Sequence, residues 1–406
     1  MFHYTSPLKL SNGLQLHICK DNSFPVVSTA LILDIGSKDE LPEQYGWAHL
    51  CEHLLFTGTD QVPDFDKALS QYGGTSNAWT SCDATVLFCS GPKNILELIL
   101  FLESERIQNI HYTLHKSNFS SEKSVVLNEY SEQVIDIPFG EFLESQESRF
   151  FGSSHPYGHS VIGSRKTIRK CTYKGIRSFL EKYRNLRNAH LLVVGDICIE
   201  EVEKYTKQYF DNFPQMNTPS LQYQDFDQNS NIYIEKGKQT QNMLRLDWKL
   251  PDGKSNTTNM FEAIANWLES DSGPLYQDLA IKKGWSNEII CEVDKKRHAL
   301  SFSISIYFSS EQSYEEILNC VLSHIDKLDT IPLKKCEMQL QRNILSGLES
   351  FDARCEYLAS LLEIGQNLEE VLRKVHHFAL QPELFVECMA IIKSGKPMVM
   401  VGQSNL

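Results

Sequence analysis

The chain has 406 residues, of which 41% are apolar and 22% charged, and its net charge is −13. That composition is ordinary for a soluble globular protein, and the length allows two or three domains with a large core. The acidic balance argues against general nucleic-acid binding and against docking on an anionic membrane, since both need basic surfaces.

No apolar run approaches the ~20 residues that span a bilayer. The richest, Ile95 to Leu102, is short and contains Glu97. The start, MFHYTSPLKLSNG, lacks the basic and apolar regions of a signal peptide. Eleven cysteines are scattered with no C-x-x-C pair, which suits a reducing compartment. The expectation is a cytoplasmic protein.

Residues 8–20, LKLSNGLQLHICK, predict a β-hairpin, with Asn12-Gly13 as the turn and Leu14, Leu16 and Ile18 on one face. Val26 to Ile35 reads as a buried strand. A helix is expected over about 44–57 and another from Phe65 to Tyr72, closed by Gly73-Gly74. Thr75 to Ser90 reads as a strand or a hairpin arm. Helices follow over Ile95 to Ile107, His115 to Gln133, Tyr173 to Tyr183 and Glu200 to Phe210, with a strand at His190 to Val194. This mixture predicts an α+β domain with an antiparallel sheet.

Residues 213–230 carry two prolines, many Asn, Gln and Ser and few aliphatics, the composition of a linker. The pattern then starts again. Ile232 to Ile234 and Met243 to Trp248 are strand-like, and Phe261 to Leu268 is helical. Leu300 to Phe308 alternates strictly with serines and Tyr307, the clearest strand. Tyr314 to Leu328 and Cys336 to Glu349 are helical. The closing Pro397-Met-Val-Met-Val401-Gly402 resembles Leu191-Leu-Val-Val194-Gly195, 207 residues earlier. A domain at 1–212, a linker at 213–230 and a second domain at 231–406 follow from this weak repeat.

The chemistry centres on GWAHLCEHLLFTGT at 46–59. On a helix His49 and His53, four apart, share one face and can point at a single metal ion. Glu52 lies within reach of a water on that metal, the inverted form of the H-E-x-x-H zinc site. A catalytic zinc usually has three protein ligands and an open position. Glu122 and Glu129, two turns apart on one helical face, are the best candidates for the third; without the His pair they would read as a solvated acidic face.

These segments resemble the pitrilysin/insulinase family of zinc metallopeptidases, which includes the mitochondrial processing peptidase. The resemblance rests on 46–59, on EKSVVLNE at 122–129, GGTSNAWT at 73–80, HPYGH at 155–159 and SGPLYQDLAIKKGW at 272–285, in the family's order, with 76 residues from His53 to Glu129. It implies two homologous domains, each a mostly antiparallel sheet packed with helices, forming half of a clamshell. It also implies one zinc ion per chain held by His49, His53 and Glu129. Glu52 would be the general base and Glu122 a carboxylate orienting the ligands. Asn77, Ala78 and Trp79 would lie on an edge strand that binds substrate through its backbone.

Active members of the family carry an Arg and a Tyr, seven residues apart, in the second domain. Here the matching positions are Ala280 and Asn287. The segment resembles the zinc-bearing amino-terminal half of insulin-degrading-type enzymes, whose other half supplies that pair. The resemblance therefore implies a metalloendopeptidase for peptides or small proteins that works with a homologous partner chain, as a heterodimer or homodimer. The competing expectation is a structural or substrate-presenting subunit without catalysis of its own.

Overall fold

A computed structural model of the chain describes residues 2–216, 223, 226, 230–237, 241–251, 255–309, 311–374 and 379–404. Most of the expected linker 213–230 lies outside them. The chain forms two compact units that interleave in sequence. One comprises residues 1–132, 159–222 and 345–373, the other 133–158, 223–344 and 374–406.

The first unit is built on a six-stranded sheet. Its strands are β1 (His3–Lys9), β2 (Gln15–Lys20), β3 (Val26–Leu33), β4 (Thr75–Thr80), β5 (Thr85–Pro92) and β6 (His190–Gly195). Their order across the sheet is β1-β2-β6-β3-β5-β4, antiparallel except between β2 and β6. The predicted hairpin is present, and its first strand begins at His3, earlier than the alternation suggests. Asn12 shapes the turn: its Oδ1 accepts the Leu14 amide, and its Nδ2 donates to Phe210 O at 2.6 Å.

Helices α1 (Trp47–Leu54), α2 (Leu96–Thr113), α3 (Lys116–Tyr130), α4 (Tyr173–Leu180) and α5 (Ile199–Phe210) belong to this unit. Their apolar side chains, among them Leu50, Leu54, Ile99, Val126, Ile176 and Val202, close one core with Leu16, Leu31, Leu87 and Val193 of the sheet. The helix Phe351–Glu363 also packs on β3, β5 and β6. Both ends of α1 fall inside the expected 44–57. Gly46 adopts a left-handed φ of 91°, which breaks any continuous helix through Tyr45. A Cβ at Gly46 would stand 2.6 Å from the Ile162 carbonyl oxygen, so the close approach also requires glycine.

The second unit holds a five-stranded sheet of β7 (Ile232–Gly237), β8 (Gln241–Leu250), β9 (Ser286–Lys296), β10 (Ala299–Ser309) and β11 (Met398–Ser404), in the order β7-β11-β8-β10-β9. The internal repeat has a structural counterpart. β6 lies parallel to β2 and antiparallel to β3, while β11 lies parallel to β7 and antiparallel to β8. The strand β9, with no predicted counterpart, carries five charged residues on the sheet edge, where charge discourages further pairing. The alternating serines of β10 are buried as well. Their face of the sheet carries a polar cluster in which Arg245 donates to Ser305 and Asp247, and Gln146 to Asp247. Leu244, Leu246, Phe302, Ile304 and Phe261 fill the opposite core.

Candidate metal centre

The centre lies in the first unit, where α1 packs against α3 and β4. The start of α1 is held by a side chain that the motif does not contain. Glu40 Oε2 accepts the Gly46 amide at 2.8 Å, and Oε1 accepts the Ala48 amide at 2.5 Å. A carboxylate at a helix N-terminus satisfies amides that lack intrahelical partners and complements the helix dipole. Burial pushes the Glu40 carboxyl up, opposed by the hydrogen bonds from His159, Ala48 and Gly46. His159 Nε2 lies 3.2 Å from Glu40 Oε2, and its ring stacks on Tyr45 at 3.7 Å. His159 thus supports the helix, a structural role consistent with its position outside any ligand spacing.

One turn apart on α1, the rings of His49 and His53 stand nearly perpendicular, with centroids 4.9 Å apart. Their Nε2 atoms lie 3.6 and 3.4 Å from Glu129 Oε2 on α3. These separations exceed ordinary N–H···O lengths of about 2.7–3.2 Å. They match the edge of a tetrahedron whose ligands sit about 2.0–2.2 Å from a central zinc, which is about 3.3–3.6 Å. The three atoms therefore surround a point instead of bonding one another. All three lie within 4.8 Å of one another, a group that could hold a metal ion.

Burial, and then the neighbouring His53, lower the pKa of His49 to about 4. That keeps the imidazole neutral, the form that ligates metals. Its buried Nδ1 has no hydrogen-bond partner among the described residues. His53 differs: its Nδ1 faces Glu122 Oε2 at 3.5 Å. Seven residues apart on α3, Glu122 and Glu129 thus face the two nitrogens of one imidazole, with buried Val126 anchoring the helix between them. The donor set of two imidazoles and a carboxylate fits a zinc ion with one position left open.

Glu52 projects beside this group, and its Oε2 accepts the Thr80 hydroxyl. Burial raises the pKa of its carboxyl, against the Thr80 hydrogen bond and the His53 charge, with Glu129 adding to the rise. Thr80 closes the GGTSNAWT segment, and no local sequence signal marks it. The alternation of β4 explains its role. Thr80 and Ala78 face the α1 side, where Ala78 packs on the core. Trp79 turns the other way and donates from Nε1 to Glu363 Oε2 at 3.0 Å. Asn77 also faces that side and lines a cavity of about 290 Å³ with Asp352 and Glu356. β4 is the outermost strand of its sheet. Its Ala78 amide donates to the side chain of Asn77 at 2.9 Å.

In the second unit, Ala280 lies in the π-helical segment Tyr276–Lys282 and Asn287 is exposed on β9. All eleven cysteines are free thiols. Among the described residues, no helix is long and apolar enough to cross a membrane.

Two helices thus bring an H-x-x-E-H pair and a distant glutamate to one point on an α+β unit, a group that could hold a metal ion. Residues 17–138 match the family model for insulinase (peptidase family M16), and residues 170–345 match that for the peptidase M16 inactive domain. The chain belongs to the insulinase family, peptidase M16. It is similar to the zinc protease PqqE of Helicobacter pylori, 29% identical over 286 residues, which are 68% of this chain and 63% of that protein. It is also similar to the mitochondrial-processing peptidase subunit beta of Saccharomyces cerevisiae, 23% identical over 217 residues, 53% of this chain and 46% of that one. The matched region thus spans less than two thirds of either relative.

Among solved structures, a protease from Helicobacter pylori superposes with a TM-score of 0.86 at 21% identity, covering 99% of this chain and 100% of that one. The periplasmic protease PqqL from Escherichia coli gives 0.77 at 16% identity, covering 98% of this chain and 47% of that one. These likenesses establish the two-unit fold.

Proposed function

We propose that the chain is a zinc-dependent metalloendopeptidase that hydrolyses peptides or small proteins. The observation that carries this reading is the convergence of His49 Nε2, His53 Nε2 and Glu129 Oε2 with Glu52 beside them. When bound there, zinc supplies water activation near neutral pH and polarisation of the scissile carbonyl.

The residues do the rest. Glu52 is held through Oε2 by Thr80, which leaves Oε1 to take the proton of the attacking water and return it to the leaving amine. A carboxyl with a raised pKa is the stronger base for that transfer. Glu122 fixes the orientation of the His53 ring from behind. The outer edge of β4 at Asn77, Ala78 and Trp79 binds an extended peptide by main-chain hydrogen bonds. Pairing at Ala78 requires the Asn77 side chain to release that amide.

Ala280 and Asn287 cannot supply the guanidinium and phenol found at the matching positions of active relatives. The chain is accordingly the catalytic subunit of a dimer, and a homologous partner chain contributes that pair. Its eleven free thiols support a reducing compartment such as the cytoplasm. The second reading is a non-catalytic, substrate-presenting subunit. It is favoured by the match of 170–345 to the inactive domain of the family. Glu52→Gln separates the two. The enzyme reading expects zinc to be retained and cleavage of an unstructured peptide to fall by about 10²–10⁴-fold. Zinc-free protein after gentle purification establishes the second reading. The purified chain should turn over slowly alone and faster with its homologous partner, and full activity of the monomer overturns the partner requirement.

A further inference from the structure

A second group of metal-ligating side chains lies in the other unit. Cys320 and His324, four residues apart, share one face of the helix Tyr314–Asp326. Asp278 reaches them from the π-helical segment Tyr276–Lys282, a local geometry frequent at functional sites. One oxygen gathers the cluster. Asp278 Oδ2 lies 2.8 Å from His324 Nε2, 3.2 Å from Cys320 Sγ and 2.8 Å from Lys283 Nζ. Lys283 Nζ is also 3.1 Å from Cys320 Sγ. The ligand atoms of Asp278, Cys320 and His324 all lie within 4.8 Å of one another.

We propose that Asp278, Cys320 and His324 form a second site for a thiophilic divalent transition metal, with Lys283 as the competing cation. Thiolate, imidazole and carboxylate donors select zinc-like ions over calcium or magnesium. The 2.8 Å Nε2–Oδ2 and 3.2 Å Sγ–Oδ2 separations are hydrogen-bond lengths, shorter than the about 3.3–3.6 Å edges of a tetrahedral shell, so a bound ion would spread the three donors by a few tenths of an ångström. Lys283 now occupies the position a cation would take, and its ammonium balances Asp278. A dication would be balanced by Asp278 and by Cys320 as thiolate, with the thiol proton released to solvent. The displaced ammonium has a place to go, since Lys283 is partly exposed and its Nζ already lies 4.6 Å from the centroid of the Trp285 ring.

Cobalt(II) titration of the metal-free full chain tests the site, because thiolate ligation gives a near-ultraviolet charge-transfer band that a His/Glu centre lacks. The expected result is a saturable thiolate band that Cys320→Ser abolishes and His324→Ala weakens, with far-ultraviolet circular dichroism unchanged. Lys283→Met should tighten the binding that the band reports by about tenfold, by removing a positive charge from the site. His49→Ala should leave the band intact, so failure of the first centre is distinguishable from failure of this one. Absence of the band in the unaltered chain, or its survival in Cys320→Ser, overturns the proposal.

Discussion

Glu40 Oε1 accepts the backbone amide of Ala48 at 2.5 Å, one residue before the first histidine of the metal centre. The same carboxylate holds Gly46 and meets His159. A side chain remote from the motif in function, though not in sequence, therefore sets where the His49–His53 helix begins.

Removing that carboxylate should damage both stability and metal binding. Glu40→Ala leaves two helix amides and a buried imidazole without their acceptor, at a cost of about 2–4 kcal/mol. Glu40→Gln keeps one acceptor and should lose roughly half as much. Urea denaturation reads the stability, and dialysis against a chelator reads faster metal loss in Glu40→Ala. A variant as stable as the unaltered chain contradicts the capping role.

Glu122 touches the centre only through His53 Nδ1. Glu122→Gln should therefore weaken zinc affinity by about 10–100-fold while leaving one ion per centre at saturation. Glu129→Gln, which removes a ligand oxygen's charge, should weaken it further. Competition with a chromophoric chelator measures both, and equal affinities for Glu122→Gln and the unaltered chain would show that the contact is incidental.

On α2, the ion pair of Arg106 and Glu103 is almost fully buried, and Cys89 Sγ donates to Glu103 at 2.9 Å. The guanidinium lies 4.9 Å from the Phe56 ring centroid and 5.4 Å from that of Phe65. Arg106→Met strands the buried carboxylate and should destabilise the chain by about 3–5 kcal/mol. Adding Glu103→Leu should recover most of that loss, because the penalty is an unpaired charge and not lost packing. Denaturation midpoints of the single and double variants decide the point.

His17 gives a pH dependence. It is buried between Tyr4 and His190, 2.8 and 3.0 Å away, and burial followed by the His190 charge lowers its pKa from 6.5 to about 3. Between these values the unfolded chain takes a proton that the folded chain refuses. The stabilisation is complete above about pH 6.5 and is lost progressively as pH falls toward 3. By about pH 5 this residue alone removes about 2 kcal/mol. The drop in urea midpoint between about pH 7.5 and pH 5 should be smaller in His17→Gln by that amount, and an equal drop in both proteins assigns the pH dependence elsewhere.

Much of the centre was legible because its signals are local. The i,i+4 histidines, the adjacent Glu52 and the seven-residue spacing of Glu122 and Glu129 follow from helical period alone. The apolar runs of β3 and β6 and the Asn12-Gly13 turn are equally local. Glu40 carried no such mark: a glutamate six residues before a glycine has the appearance of any surface acid. Thr80 was hidden because period-two alternation gives two opposite faces but not which one meets a helix.

The ligand types, their helical phase and the absence of Arg and Tyr at Ala280 and Asn287 depend only on residue identity and spacing, and so are readable from the chain. Tertiary structure decided the rest. The packing of α1 on α3 selected Glu129 as the oxygen facing both Nε2 atoms and turned Glu122 toward Nδ1. The turn after β10 and the π-helical segment before β9 brought Asp278 to Cys320 and His324 from more than forty residues away. Contacts of that range arise from the burial of whole helix and sheet faces, and no local pattern in the chain encodes which distant side chains those faces bring together.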